Sequence, residues 1–225
     1  MNTSAHEGIQ NSATHAMDRM YRWQHVFYDL TRKPYLLGRD RLIVDLKPSD
    51  GSCVLEIGCG TGRNLIAAAH MWPNAKFFGY DVSGVMVAHA RKAVRRAGLE
   101  GRVSVALGDA CAFDPRAAFC VKSFERIYFS YVLSMIPPWR KALSEAVSLL
   151  GPGASLHIAD FGDQHGMGAL SRATLNKWLS IFHVSPRIDL QAELNALACK
   201  HGLLDNCQNI YGGYAVVAAL KRPAE

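Results

Sequence analysis

The stretch "VLEIGCGTGRN", Val54 to Asn64, decides the fold of this chain. A run of apolar residues with Glu56 in its middle is followed by three glycines at alternate positions, Gly58, Gly60 and Gly62. A helix-compatible segment comes next, so this order predicts a strand, a tight turn and a helix. Three glycines in one turn indicate that something approaches the backbone so closely that side chains are excluded there.

The same alternation continues along the chain from about Lys47. Successive strands are predicted for "CVLEI", "KFFGYD", "RVSVAL", "RIYFSY" and "ASLHIADF". Crossover helices with apolar residues three or four apart are predicted between them for "NLIAAAHMW", "GVMVAHARKAVRRAG" and "WRKALSEAVSLLG". Gly98 and Gly151 are expected to end the last two of these helices. Strands that alternate with helices are typical of an α/β fold with a largely parallel sheet.

The tail of the chain departs from this alternation. A helical stretch around Leu190 to His201 is followed by "GGYAVVAALKR", with no further crossover helix. This last strand is therefore expected to return antiparallel beside an existing one.

Two further segments lie outside the pattern. Residues 1–47 are predicted to form a helix from near Thr14 to Thr31, a break at Pro34 and a second helix up to Leu46. We interpret residues 1–47 as a helical lid on a sheet domain of residues 48–225. The segment "MGALSRATLNKWLSIFHVSPRIDL" follows the fifth strand and is expected to cover the same edge of the sheet.

Composition restricts the class of protein. With 225 residues, 49% of them hydrophobic, the chain can bury the core of one compact domain. It lacks the pattern of a secretory leader and any apolar run of about 18 residues, which predicts a soluble cytoplasmic protein. The six cysteines form no C-x-x-C pair, and no metal site is predicted. The net charge of +6 allows an anionic partner such as nucleic acid or a lipid surface.

The glycine turn indicates what kind of ligand is bound. Ligands of open parallel sheets bind outside the carboxyl ends of the strands, which the first strand-to-helix turn faces. Backbone amides there attract anionic or electron-rich groups, so a small molecule is expected. The dinucleotide fingerprint would need a third glycine at Arg63, and the phosphate loop G-x-x-x-x-G-K is absent.

The stretch "LEIGCGTG" resembles the first motif of class I methyltransferases that use S-adenosylmethionine. The resemblance implies that Asp81, in "GYDVS", accepts both ribose hydroxyls. It also implies that Asp109 and Ala110, in "LGDACAF", hold the adenine through a carboxylate and a backbone amide. The fold that it implies is Rossmann-like, a mostly parallel seven-stranded sheet with helices on both faces and an antiparallel carboxyl-terminal strand. S-adenosylhomocysteine would be the product of the cofactor.

The cofactor-binding residues implied by this resemblance come from the glycine turn, the ends of the next three strands and the amino-terminal segment. They are Glu56, Gly58, Gly60, Gly62, Asp81, Val82, Met86, Asp109, Ala110, Ser130, Tyr21 and Lys33.

The amino-terminal stretch "MDRMYRWQHVFYDLTRKPYLLGRDRLI" is similar to that of the betaine-lipid methyltransferases of the BtaB family. "FSYVLSMIPPW" and "WLSIFHVSPR" also resemble that family, and the likeness runs from Met17 to Arg222. It implies transfer of three methyl groups to the amine of diacylglycerylhomoserine, which gives the trimethylhomoserine betaine lipid. It also implies functional pairing with the enzyme that makes diacylglycerylhomoserine, and work at the inner face of the cell membrane without spanning it.

The residue types suit this chemistry. A sulfonium methyl group needs a neutral amine in line with it, so orientation and exclusion of water matter more than a strong base. Aromatic rings and phenol oxygens accommodate the cation that forms. Catalytic candidates are Tyr28 and Tyr131, with Tyr21 as a further aromatic wall. The residues predicted to bind the substrate are Tyr35, Arg32 and Arg39.

Alternatives stay open at this point. The acceptor could be phosphatidylethanolamine or a soluble amine, and a bound cofactor could serve regulation alone. A nucleic-acid methyltransferase is suggested only by the basic charge, since "SYVL" after the fourth strand is not the motif of base-amino methylases, so no nucleic-acid partner is predicted. His157 and Asp160 are expected to reach the crevice and could shuttle a proton. Trp23, Phe27, Trp178 and Phe182 are candidates for contact with a membrane.

Overall fold

The computed structural model describes residues 36–181 and 184–224. Within them, seven strands form one sheet in the order β3-β2-β1-β4-β5-β7-β6. The strands are β1 (Cys53–Ile57), β2 (Lys76–Asp81), β3 (Val103–Leu107), β4 (Phe124–Ser130), β5 (Leu150–Phe161), β6 (Leu204–Ile210) and β7 (Ala215–Lys221).

Helices precede and connect these strands, and the three crossover helices that the apolar spacing predicts are present. They are α1 (Arg39–Asp45), α2 (Arg63–Met71), α3 (Gly84–Arg96), α4 (Pro115–Phe119), α5 (Trp139–Ser148), α6 (Ala169–Ile181) and α7 (Leu190–His201). A 3₁₀ turn, Leu133–Met135, follows β4.

Strands β1 to β5 pair in parallel, and β7 is antiparallel to both β5 and β6. The predicted fold class is therefore confirmed, including the antiparallel return of the tail. In the register of the sheet, Ile57 lies beside Tyr80 and Phe129, and Asp81 lies beside Leu107. The carboxyl ends of β1 to β4 consequently meet at one edge, where the glycine turn begins.

Two hydrophobic cores cover the two faces of the sheet. Alternate side chains of β1 separate them, because Leu55 and Ile57 belong to one core and Val54 to the other. The first core buries the apolar faces of α5 and α7, and the second those of α1, α2 and α3. This two-sided burial explains why the central strands are mostly apolar.

Helix α1 is built into the second core. Leu42, Ile43 and Leu46 are each at most 3% exposed and pack with residues of α2 and β1. The end of the stretch interpreted as a lid thus packs as part of the sheet domain. Residues 1–35 lie outside the described part of the chain, so the lid stays a prediction.

Two local expectations were wrong. Gly151 does not end a helix, because α5 stops at Ser148 and β5 begins at Leu150. Strand β6 was not foreseen as a separate element, because "LDNCQNI" is mostly polar and exposed at the edge of the sheet and so lacks an apolar pattern. None of the helices in the described ranges is long and apolar enough to cross a bilayer.

Candidate functional site

The glycine turn is fastened to the end of β2 through its backbone. The amides of Gly58 and Cys59 both donate to the carbonyl oxygen of Tyr80, at 2.9 and 3.0 Å. All three glycines have positive φ, at 72°, 53° and 79°, a region that L side chains adopt at a cost. The turn therefore depends on glycine for its conformation at each of these positions.

Each glycine faces a different neighbour. A methyl group added at Gly58 would lie 3.1 Å from Cβ of Val132 and closer still to its Cγ2. One added at Gly62 would lie 3.1 Å from Cβ of Ala90 in α3. At Gly60 no heavy atom of the described chain lies within 4 Å of the added group. Packing thus excludes side chains at two positions, and only Gly60 faces open space.

Asp81 ends β2 beside this open space. Its Oδ2 accepts the amide of Gly60 at 2.9 Å, and its Oδ1 accepts the amide of Ser83 at 2.9 Å. The hydroxyl of Ser83 in turn accepts the amide of Met86 and caps α3. The carboxylate is therefore oriented by two backbone amides while it lines the cleft.

Glu56 lies one layer below the cleft. It is 1% exposed, and its carboxylate accepts from Nδ2 of Asn64 at 2.9 Å and from the hydroxyl of Tyr128 at 3.1 Å. Burial raises the pKa of this carboxyl to about 8, although these two hydrogen bonds lower it and Asp81 adds to the rise. Asn64 lines the cleft, whereas Glu56 does not. The position of Glu56 therefore favours a role in supporting the glycine turn through Asn64 and not direct contact with a ligand.

The cleft lies between the glycine turn, the end of β2 and the turn after β4. The predicted residues that line it are Gly58, Gly60, Asp81, Met86, Ser130, Tyr131 and Arg39. The hydroxyl of Ser130 is buried and has no hydrogen-bond partner within the described residues. An orphaned buried hydroxyl beside a glycine that faces open space fits a polar ligand that contacts the backbone.

Tyr131 lies on the side of the cleft that the turn after β4 forms. It is 1% exposed, has a positive φ of 55°, and its ring meets Phe161 edge-on at 4.8 Å. Its hydroxyl donates to the carbonyl of Leu37. Burial raises the pKa of this phenol, and the nearby charge of Asp160 adds to the rise. The phenol stays neutral, so Tyr131 offers a wall and a dipole, not a base.

Arg39 lines the same side of the cleft. The residue is only 9% exposed, and its Nε and Nη2 donate to Oδ1 of Asp40 at 3.1 and 2.9 Å. The side chain of Asp40 is 87% exposed, so solvent weakens this pair. A guanidinium held at a cleft in this way can bind a carboxylate.

Three of the predicted cofactor residues lie beyond this enclosed part of the cleft. Val82 follows Asp81, and Asp109 and Ala110 follow β3, which pairs with β2. Oδ1 of Asp109 accepts the amide of Cys111 at 2.9 Å, and Asp109 is exposed. They continue the line of the carboxyl edge on the far side of Asp81, and their roles stay predictions.

His157 and Asp160 do not act together at the cleft. They are three residues apart on a strand and so point to opposite faces of the sheet. Nε2 of His157 is 2.9 Å from the hydroxyl of Ser155, and the ring lines a separate cavity beside α1. Burial lowers its pKa to about 4, which keeps it neutral. The expectation that His157 reaches the crevice was wrong.

Several residues predicted to act at the site or at a membrane lie outside the described part of the chain. These are Tyr21, Tyr28, Arg32, Lys33 and Tyr35 at the site, and Trp23, Phe27 and Phe182 at the membrane. Trp178 is described and is partly buried against the second core.

Sequence reasoning missed part of the lining. Val132 and Met135 contribute apolar surface, and Thr61, Arg63 and Asn64 complete the glycine turn. The position of the segment "SYVLSM" directly after β4 was the available signal for Val132 and Met135, because that strand end lies beside the glycine turn.

Known proteins share this arrangement. The family described as methyltransferase domain matches residues 54–153. Nocamycin O-methyltransferase of Saccharothrix syringae is 31% identical over 178 residues, 77% of this chain and 58% of the relative. The chain spans about half the length of the curated relatives that it matches.

Solved structures support the same fold. An O-methyltransferase family protein from Burkholderia thailandensis has a TM-score of 0.69 at 17% identity, over 92% of this chain and 62% of that one. A phosphoethanolamine N-methyltransferase of Haemonchus contortus, in complex with S-adenosyl-L-methionine, has a TM-score of 0.64 at 18% identity, over 83% and 52%.

Residues 54–153 of the chain therefore match a methyltransferase domain, and the fold of the described residues is that of the solved methyltransferases. S-adenosyl-L-methionine, the cofactor predicted for this chain from its sequence, is bound in the structure of the Haemonchus contortus protein.

Proposed function

We propose that this chain is an N-methyltransferase that methylates the amine of diacylglycerylhomoserine three times, giving the betaine lipid. The observation that carries the proposal is the guanidinium of Arg39, which is nearly buried and lines the cleft beside Tyr131. The homoserine headgroup carries a carboxylate next to the amine that is methylated. One cation in this place would bind that carboxylate and so aim the amine into the cleft. The likeness of the amino-terminal stretch to the betaine-lipid family also supports the proposal.

The residues of the chain would hold both reactants. Gly60 lets the cofactor approach the backbone, Asp81 offers carboxylate oxygens to neighbouring hydroxyls, and Ser130 offers a hydroxyl. When bound, S-adenosylmethionine supplies an electrophilic methyl group. Glu56 supports the glycine turn from below through Asn64. Asp109 with Ala110 would hold the adenine.

The acceptor side needs orientation more than a strong base. The α-amino group of the headgroup is less basic than a lysine side chain, so it gives up its proton more readily. Arg39 fixes the headgroup, and the ring of Tyr131 would face the growing cation. The released proton can pass to water, because the phenol of Tyr131 is neutral and engaged with Leu37.

A lipid acceptor requires access to a bilayer surface. Helix α6 exposes Leu170 and Ile181, at 82% and 60%, with Lys177 on the same face and the buried Leu179 opposite. Exposed apolar residues beside cations suit shallow insertion into an anionic interface. We propose that this face of α6 contacts the membrane through Leu170 and Ile181. Trp178, which was predicted from the sequence to make this contact, is instead partly buried.

The test is methyl transfer by the purified chain to a panel of acceptors, followed by mass spectrometry. Vesicles with diacylglycerylhomoserine, vesicles with phosphatidylethanolamine, free ethanolamine compounds and RNA are compared. We expect products with up to three added methyl groups from diacylglycerylhomoserine alone. If phosphatidylethanolamine or a soluble amine is methylated instead, the proposed acceptor is wrong and the proposed N-methyl transfer still holds.

Arg39→Gln and Arg41→Gln provide a matched pair on one helix. Arg41 is exposed and pairs with Asp45 and Gln208, away from the cleft. Loss of one charged hydrogen-bond partner in Arg39→Gln should raise KM for the carboxylate-bearing lipid by about tenfold or more, with Arg41→Gln unchanged. An equal KM for both variants would contradict the role of Arg39.

O-methylation of a small acid or phenol is a second candidate. It is favoured by the names of the relative from Saccharothrix syringae and of the neighbour from Burkholderia thailandensis. A phenol and a carboxylic acid are therefore included in the panel. Methylation of either, with none of the lipid, would make this candidate the function.

A further inference from the structure

The turn after β4 forms one wall of the cleft. Its 3₁₀ helix, Leu133–Met135, is preceded by Tyr131 and Val132, and the side chains of Tyr131, Val132 and Met135 line the cleft. Val132 also packs against Gly58 of the glycine turn. A displacement of this turn would therefore move one wall of the cleft.

The backbone of this turn is strained, and contacts with neighbouring segments are needed to hold its conformation. Tyr131 has φ of 55°, and a non-glycine residue holds such a conformation only where its neighbours determine it. The amide of Tyr131 donates to the carbonyl of Ala159 in β5 at 2.7 Å, and its hydroxyl donates to Leu37. These contacts fix the start of the turn, and the rest needs other partners.

Asp160 holds the amino end of the 3₁₀ helix. Its carboxylate is fully buried. Oδ2 accepts a hydrogen bond from the backbone amide of Ser134 at 3.2 Å, and Oδ1 accepts one from the backbone amide of Phe161 at 2.8 Å. The first amides of any helix lack partners within it, and a carboxylate satisfies them. The carboxylate of Asp160 is thus bound to the wall of the cleft.

Arg187 holds the carboxyl end. Its Nε donates to the carbonyl of Leu133 at 3.1 Å, and its Nη2 donates to that of Ile136 at 2.8 Å. The backbone amide of Ser185, two residues earlier, donates to the carbonyl of Ser134 at 3.0 Å. One guanidinium therefore bridges the carbonyl of Leu133, which also accepts the amide of Ile136, and the carbonyl of Ile136 just past the end of the 3₁₀ helix.

We infer that Asp160 and Arg187 are positioning residues that clamp the two ends of the Leu133–Met135 turn and so set the acceptor wall of the cleft. Opposite charges sit at opposite ends of the turn, a carboxylate at its amides and a guanidinium at its carbonyls. This matches the direction of the peptide dipoles. Through Arg187, the segment between α6 and α7 is joined directly to the wall. The inference rests on the proposed function, since the wall matters because methyl transfer takes place beside it.

Arg140 offers a matched comparison. Like Arg187 it lies over the ring of Trp139, at 4.4 Å against 5.9 Å. Its partners, however, are Asp189 and Glu193 at the start of α7, and none of its described hydrogen bonds reaches the turn. Arg140→Gln removes a cation from the same surroundings and leaves the clamp intact.

The first experiment needs no acceptor. Hydrogen exchange of the full chain, with S-adenosylhomocysteine bound, is followed for the amides of Ser134, Met135 and Ile136. In Arg187→Gln and Asp160→Asn these amides should exchange about tenfold faster or more, because charged hydrogen bonds that hold the turn are lost. Arg140→Gln should leave them unchanged. Unchanged exchange in Arg187→Gln, or a uniform rise over the whole sheet, would overturn the clamp.

The second experiment separates positioning from mere stability. With diacylglycerylhomoserine vesicles, Arg187→Gln should lower kcat by about tenfold at saturating cofactor while binding S-adenosylhomocysteine with nearly the affinity of the unchanged chain. Arg187→Lys should recover part of kcat, since a lysine keeps the charge but reaches fewer carbonyls. An unaltered kcat for Arg187→Gln would overturn the inference. If the unchanged chain methylates no acceptor, the proposed function fails and the exchange experiment still decides the clamp.

Discussion

Two turns face each other across the cleft, and they are built in different ways. The glycine turn, residues 58–62, is held by backbone amides that donate to the carbonyl of Tyr80 and to Asp81. The turn after β4, residues 131–136, is held by the side chains of Asp160 and Arg187. The first turn should therefore be destabilised when a side chain is added to one of its glycines. The second turn should lose its conformation when the charged side chain of Asp160 or Arg187, which lies far from it in the sequence, is removed.

The largest effect is expected for Gly58→Ala. The new methyl group would overlap the side chain of Val132, and the residue would keep a positive φ of 72°. Overpacking together with backbone strain should lower the free energy of unfolding by about 3 kcal/mol. Denaturation by urea measures this loss.

Gly60→Ala is the control for that variant. It keeps the strain of a positive φ but meets open space, so it should cost only about 1 kcal/mol. Combining Val132→Ala with Gly58→Ala should restore the part of the lost free energy of unfolding that is due to overpacking. Equal losses for the two glycines would show that packing against Val132 does not matter.

The next effect concerns Asp81. Asp81→Ala removes the carboxylate that is predicted to accept the ribose hydroxyls. Affinity for S-adenosylhomocysteine should fall by about 1.5–3 kcal/mol, the usual range for hydrogen bonds to a charged group. Calorimetry measures it, and circular dichroism checks that the variant is folded, because Asp81 also accepts the amide of Gly60. An unchanged affinity would reject the assignment.

The difference between the turns also explains what the sequence could reveal. Glycines 58, 60 and 62 follow an apolar strand directly, so a local pattern predicts the turn and the parallel sheet around it. The contact of Gly58 with Val132 joins segments that are distant in the chain, and no local pattern reports it. The open space at Gly60 was expected, whereas the packing of Val132 at Gly58 and of Ala90 at Gly62 was not.

The second turn shows the limit more clearly. Its clamp joins Ser134 to Asp160 and Leu133 to Arg187, 26 and 54 residues apart. Such polar contacts leave no periodicity in the sequence. Asp160 was foreseen only as a proton carrier, and Arg187 only as part of a stretch that resembles a family.

A pH-dependent effect, smaller per pH unit than the losses expected at Gly58 and Asp81, is expected at Glu56, below the glycine turn. Its pKa is raised from an ordinary 4.5 to about 8, chiefly by burial, so the folded chain binds a proton that the unfolded chain has released. Stability should therefore fall as the pH rises from about 4.5 to 8, by at most about 1.4 kcal/mol per pH unit. Urea denaturation at several pH values measures the slope.

Glu56→Gln should remove this contribution, because an amide does not titrate. The variant should gain stability relative to the unchanged chain as the pH rises through the same window. Parallel stability curves for the two proteins would show that Glu56 does not carry a raised pKa.

The smallest effect is expected at the exposed face of α6, outside both turns. Leu170 and Ile181 protrude beside Lys177, and shallow insertion of such residues adds to about 1 kcal/mol for each basic residue near an anionic surface. Flotation with vesicles rich in anionic lipid should capture the unchanged chain at low salt and less of it at high salt. Leu170→Ser with Ile181→Ser should weaken capture. Leu204→Ser is the control, because Leu204 is 63% exposed on the edge strand β6. If the control loses as much binding as the α6 variant, or if the unchanged chain is not captured at low salt with acceptor lipid present, α6 is not the membrane face.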